Sequence, residues 1–229
     1  MTGSPGEELD SQSCAEKVYV ELKKRLDDGR LKPGAFLDLG ALGEELGMSR
    51  TPLRDALIRL EIEGFVTVFP RRGVMVRGLS LNGIRDLYEI IGALEASAIL
   101  HAAGKFRKED ARRMDELRLA MDADLGAGDF GSYYSRNLAF HDVYLDLSDN
   151  LELVRQVRLG KERLYDFPRR ATFVAEWERT SNAEHLSIVE AFAARDFAGA
   201  AAFVRDVHWS YEAQEGFIRK YYLDQAAGR

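Results

Sequence analysis

The chain has a single cysteine, Cys14, in 229 residues. No intrachain disulfide can staple it, which suits a reducing compartment. It lacks any apolar run long enough to span a bilayer, and its first dozen residues (MTGSPGEELDSQ) are polar and acidic where a secretory leader would be apolar. Both absences point to the cytoplasm. There is no internal repeat, no nucleophile motif and no glycine loop of the kind that cradles phosphate. What is left is a water-soluble chain long enough for one large domain or two small ones, with residues 1–14 expected to form a disordered tail.

Positive charge is short as well. The formal net charge is -6, which on average speaks against a nucleic-acid partner. The average hides an arrangement: residues 1–78 carry 12 Lys/Arg against 13 Asp/Glu, while residues 79–229 carry 20 against 25. DNA binding requires a basic surface, not a basic chain.

In the nearly neutral first part, Val18, Leu22 and Leu26 recur at spacing four and predict an amphipathic helix over 15–29. Phe36-Leu37 predicts a short strand after the Pro33-Gly34 turn. GALGEELG predicts a short helix with Leu42 and Leu46 inward, ended by Gly47 in the left-handed conformation. MSRTPLRDALIRLEIEGF predicts another, with Ser49 as N-cap, a buried stripe of Leu53, Ala56, Leu57 and Leu60, and Gly64 as stop. Two strands, Phe65–Phe69 and Val74–Arg77, then flank Pro70-Arg71-Arg72-Gly73. In this order of elements, a braced helix can enter the major groove while the hairpin reaches alongside it. Arg50 and Arg54, four apart at the helix start, can reach guanine edges or phosphates, and Ser49 and Thr51 can add phosphate hydrogen bonds. The alternative is that these arginines are ordinary solvated charges. Arg59, over two turns further on, reads equally as a phosphate contact or a surface charge.

The stretch LGALGEELGMSRTPLRDALIRLEIEGFVTVFPRRGVMV resembles the winged helix-turn-helix of the GntR superfamily of bacterial transcription regulators. It has the Ser-Arg-Thr-Pro segment, Arg-x-Ala-Leu, Leu-Glu-x-Glu-Gly and the Arg-Gly wing of that family. The resemblance covers residues 15–78. It implies that Arg50, Thr51 and Arg54 contact DNA, with Arg71, Arg72 and Gly73 in the wing. One departure is Gly40, where some members carry a base-reading arginine.

From residue 79 onward no strand pattern is evident, and the periodicity predicts about six helices with their own core. The last of them is expected to run unbroken over DFAGAAAFVRDVHWSYEAQEGFIRKYYLD, after a break at Pro168-Arg169-Arg170. The fold class is therefore mainly α, an N-terminal winged helix-turn-helix followed by an all-α bundle. Asn137 and His141 share one helix face, His185 lies with Ile188 and Phe192, and His208 lies with Val204 and Tyr211. Imidazoles brought together from three helices can hold a divalent ion such as Zn²⁺. They can equally be core histidines, each satisfied by a hydrogen bond. His101 lies near a helix end, where it suits the helix dipole.

NLAFHDVY, EHLSIVEAFAARD and a later histidine are similar to the ligand-binding domain of the fatty-acid-regulator (FadR-type, FCD) branch of the same superfamily. The resemblance implies metal ligands at Asn137, His141, His185 and His208, and an ion that anchors the carboxylate of a small organic acid. Tyr134, Tyr144 and Glu95 are the candidate pocket residues. Asn137 stands where the family has Asp or Asn, and Ile91 stands where an arginine often precedes the glutamate. The last histidine of the pattern follows the Glu-His histidine by about 22 positions, here Val207; His208 is one further on, a step of roughly 100° on an α-helix.

The function these residues imply is that of a dimeric, ligand-responsive repressor or activator on operator DNA. The alternatives are a metal-dependent hydrolase or lyase with an accessory DNA-binding part, or an architectural DNA binder without a ligand. For the enzyme, Glu184 is the acid adjacent to a candidate ligand, but adjacency on a helix turns it away, toward a salt bridge or a cap.

Overall fold

The computed structural model describes residues 13–165 and 175–223, in two compact units that meet in sequence between Leu79 and Ser80. The expected tail over 1–12 and the Pro168-Arg169-Arg170 break lie outside the described residues. Residues 13 and 14, expected in the tail, instead begin a helix. Ser13 caps α1 (Cys14–Asp27) by accepting from Glu16 N–H at 3.1 Å.

The first unit continues with β1 (Phe36–Leu37), α2 (Leu39–Leu46), α3 (Arg50–Ile62), β2 (Val66–Phe69) and β3 (Gly73–Val76). The three strands form an antiparallel sheet in the order β1-β3-β2, with Val66 opposite Val76 and Phe69 opposite Gly73. Val18, Leu22 and Leu26 of α1 are buried against the Leu53, Leu57 and Leu60 stripe of α3, as the periodicity predicts. Leu42 of α2 is buried, whereas Leu46 is only half-buried. Gly47 ends α2 at φ 61°, a conformation that leaves room for Met48 N–H to bond back to Gly43 C=O at 2.9 Å.

The acidic motif residues brace this unit. Glu61 accepts from Val68 N–H on β2 at 2.9 Å, and Glu63 accepts from Tyr19 O–H at 2.8 Å. The buried Arg25 of α1 is bonded to Glu21 and, through both terminal nitrogens, to Glu45 of α2.

The second unit is helical: α4 (Leu81–Ala102), α5 (Lys108–Ala127), α6 (Phe130–Leu145), α7 (Leu151–Tyr165), α8 (Ala175–Ala193), α9 (Phe197–Phe203) and α10 (Tyr211–Leu223). No strand occurs in it among the described residues. The long α4 buries Ile84, Leu87, Ile91, Glu95 and Ile99 along one stripe, and α9 packs on it. Phe106, Phe192 and Phe197 form an aromatic cluster with ring centroids 4.6–5.8 Å apart.

The final helix departs from expectation. Between α9 and α10 the chain makes a π-helical turn, Val204–His208, closed by Trp209 N–H on Val204 C=O at 2.9 Å. Such a turn holds one residue more than an α-turn. Here it lets both His208 and Trp209 face inward, at 8% and 4% exposure. Gly92 of α4 makes room for this: a Cβ there would lie 2.9 Å from Trp209 Cβ. The Trp209 ring sits edge-on to Tyr88 at 5.2 Å, and α10 restarts after Ser210, whose Oγ accepts from Ala213 N–H.

Candidate nucleic-acid interface and metal centre

Helix α3 presents its N-terminal turns to solvent. Ser49 occupies the N-cap position with extended backbone (φ -71°, ψ 170°), but its side chain makes no capping bond, contrary to expectation. The hydroxyl is therefore available, beside the exposed Arg50, Thr51 and Arg54. Among the described residues neither Arg50 nor Arg54 has a hydrogen-bond or ion-pair partner. Arg71 and Arg72 are exposed at the hairpin tip, where Arg71 takes φ 62° and Gly73 φ 110°. Both guanidiniums lack a polar partner among the described residues, and Arg72 lies 5.8 Å from the Phe69 ring.

Arg59 is different. It bonds Glu16 of α1 at 2.7 Å and Glu63 at 3.1 Å, and its guanidinium lies 3.5 Å from the centroid of the Tyr19 ring. Of its two readings the structure supports the surface charge, employed in joining α1 to α3.

In the second unit, α6 supplies His141, α8 supplies His185 and the π turn supplies His208. Their ring centroids are 4.9–5.3 Å apart, and one ligand nitrogen from each lies within 4.8 Å of the others. All three are buried. His208, one position beyond where the resemblance puts the last histidine, reaches the cluster from the π turn. Asn137, one turn before His141, is buried with Oδ1 lacking any hydrogen-bond partner. The same is true of His141 Nε2 and of both His185 nitrogens. Core histidines satisfied by hydrogen bonds would not leave these atoms orphaned, because an unpaired buried polar atom costs about 1–3 kcal/mol. Three imidazoles are a donor set that suits a divalent transition ion, and Asn137 adds an unpaired buried oxygen on the helix that carries His141.

The supporting shell is dense. His141 Nδ1 lies 3.0 Å from Glu95 Oε2 and 2.7 Å from Tyr144 Oη. The same Glu95 oxygen accepts from Tyr144 O–H at 2.6 Å and Trp209 Nε1–H at 3.0 Å, while Oε1 pairs with Lys161 Nζ at 2.5 Å. Glu95 and Tyr144, expected to line a ligand pocket, are fully buried and committed to these bonds; what they visibly do is hold His141. Tyr134 is half-buried on the same helix, and His101 stands apart, 3.4 Å from Ser148 Oγ.

Burial pushes the His141 pKa down to about 4, outweighing the Glu95 charge beside it, and holds His185 well below the ordinary imidazole range. Burial would raise Glu95, but His141 and Lys161 outweigh it and hold Glu95 well below the ordinary carboxylate range. Burial likewise lowers Lys161, against the pull of Glu95. His141 and His185 are thus neutral near pH 7, the form that ligates metal.

Sequence reasoning missed three supporting residues, Lys161, Trp209 and Gln214. Lys161 had a signal: it falls on the apolar stripe of α7, between Val157 and Leu164. Trp209 and Gln214 had none, since both lie beyond the helix break. Glu184, expected in a salt bridge or a cap, has Oε2 2.7 Å from His208 Nδ1.

Comparison with known proteins bears on both units. A model described as "Bacterial regulatory proteins, gntR family" matches residues 14–76, and a model of the FCD domain matches residues 86–207. The Nta operon transcriptional regulator of Aminobacter aminovorans is 34% identical over 175 residues, 76% of this chain and 80% of that protein. The HTH-type transcriptional regulator McbR of Escherichia coli is 32% identical over 128 residues, 56% of this chain and 58% of that one. In fold, the solved structure of E. coli McbR/YncC covers 93% of this chain and 99% of its own, with a TM-score of 0.69 at 24% identity.

Proposed function

The chain belongs to the gntR family of bacterial regulatory proteins, with an FCD domain after its DNA-binding unit, and from that premise we propose how its two parts divide the work. It is a DNA-binding transcription regulator. Residues 15–78 read the operator and residues 79–229 sense a small molecule. The observation that carries the reading is the set of exposed guanidiniums without partners at the start of α3 and at the wing tip. Arg50 and Arg54 contact bases or phosphates in the major groove, with Ser49 and Thr51 on phosphate and Arg71, Arg72 and Gly73 alongside. Two copies of the chain, as a homodimer, place two such units on a pseudo-palindromic site.

In the helical part, Asn137, His141, His185 and His208 would hold a divalent ion, Zn²⁺ being the best match to imidazole donors. The ion supplies a buried positive charge on which the carboxylate of a small organic acid can be anchored. Tyr134 lines the approach, and Glu95 and Tyr144 keep His141 in position. The acid acts as an inducer by favouring the state that binds DNA poorly, since only differential affinity moves the equilibrium. The enzyme alternative has little support: the relatives are transcription regulators, and Glu184 is bonded on both oxygens, as a supporting group and not as a general base.

The test is to let the protein select DNA from a random library and measure the selected site by fluorescence anisotropy across salt, with zinc-loaded and chelator-treated protein. Each phosphate contact contributes about 0.9 to the log–log salt slope. Arg54→Ala or Arg71→Ala is expected to lower affinity and, where phosphate is the contact, the slope. Binding of both variants indistinguishable from the wild type would remove the assignment.

A further inference from the structure

Two of the three clustered histidines are held in the same way, by carboxylates from different helices. His141 Nδ1 faces Glu95 of α4 at 3.0 Å, and His208 Nδ1 faces Glu184 of α8 at 2.7 Å. His185 has no such partner on either nitrogen, and its ring lies against Phe140 at 4.3 Å. Helix α8 therefore supplies one of the three rings directly and the support of another.

The Glu184 carboxylate is itself fixed. Its Oε1 accepts from Gln214 Nε2–H of α10 at 2.9 Å, and Gln214 Oε1 accepts from Trp177 Nε1–H at 2.8 Å. Gln214 and Trp177 are 3% and 6% exposed. This relay spans the junction between the π turn and α10: His208 is the last residue of the π turn, and Gln214 lies in the first turn of α10 beyond it. An ionised carboxylate only accepts, so the histidine nitrogen facing it must carry the proton, and in a neutral imidazole the other nitrogen then keeps its lone pair.

We propose that Glu184 is a positioning residue: fixed by Gln214 of α10, it holds His208 in the Nδ1–H tautomer and so makes Nε2 the atom offered to metal. The metal part rests on the reading given above; the tautomer part does not. Docking of α10 thereby sets the third ligand, and the last helix and the histidine site are linked through one carboxylate. Support of this kind is worth about 10–100-fold in metal affinity when removed.

The experiment is long-range ¹H–¹⁵N correlation spectroscopy of metal-free protein, which reads the tautomer of each histidine, paired with zinc affinity by chelator competition. The wild type should show His208 as Nδ1–H. Glu184→Ala should move it toward Nε2–H and weaken zinc about 10–100-fold. Glu184→Gln retains an acceptor and should preserve the tautomer with a smaller loss of affinity, while Gln214→Leu should fall between them. An Nε2–H His208 in the wild type, a reading that needs no variant, overturns the proposal. So does a Glu184→Ala protein with tautomer and zinc affinity unchanged. If the wild type takes up no zinc, the metal reading falls, and the His208 tautomer still decides the role of Glu184.

Discussion

Acid should loosen the helical unit of the metal-free protein well before ordinary carboxylates titrate. His141 has its pKa pushed from 6.5 down to about 4, chiefly by burial, with Lys161 adding to the push and Glu95 opposing it. Between those values the unfolded chain binds a proton that the folded chain refuses, so stability is fully present above about pH 6.5 and is lost as pH falls toward 4. The depression corresponds to about 3 kcal/mol in all, of which roughly 2 kcal/mol falls between pH 7 and pH 5. His185, lowered in the same direction, adds to the loss. The chain's two tryptophans, Trp177 and Trp209, both lie in the helical unit, so urea unfolding followed by their fluorescence reads that unit. After chelator treatment the wild type should lose about 2 kcal/mol or more between the two pH values, and His141→Gln should lose about 2 kcal/mol less than the wild type. Equal losses in the two proteins would refute the argument, because a histidine that titrates normally contributes no pH dependence to folding.

Three further outcomes follow from named contacts. Lys161→Met leaves the fully buried Glu95 without its counter-charge and should cost about 3–5 kcal/mol in the same unfolding assay. Adding Glu95→Gln should recover most of that cost, and simple additivity of the two would deny the coupling. Arg59→Ala should lower the stability of the first unit by about 1 kcal/mol, through Glu16, Glu63 and Tyr19. It should leave the salt slope of DNA binding unchanged; a slope lower by about 0.9 would place Arg59 on a phosphate instead. Gly92→Ala puts a Cβ 2.9 Å from that of Trp209 and should destabilise by about 1–3 kcal/mol, with an altered near-ultraviolet dichroism of the tryptophan; wild-type stability would deny the close approach.

The features legible in the sequence are those with a local physical cause. The Val18, Leu22, Leu26 stripe, the Gly47 stop, the paired strands around Arg71-Arg72 and the inward faces of His141 and His185 all follow from periodicity and backbone preference within a few residues. The family motifs are equally local, and both survive comparison with known proteins. Tertiary structure decided what depends on a partner far along the chain. Ser49 has the right type and place for a cap yet makes no capping bond, and the charge of Arg59 is taken up by Glu16, 43 residues away. A one-residue offset at His208 would turn its ring away on an α-helix. Packing of Trp209 over Gly92 accompanies a π turn that absorbs the offset, and periodicity cannot express an inserted residue whose cause lies on another helix. Pairing of Lys161 with Glu95, and of Glu184 with His208, was settled in the same way: a buried charge takes the partner that the fold delivers, and sequence alone does not order those distances.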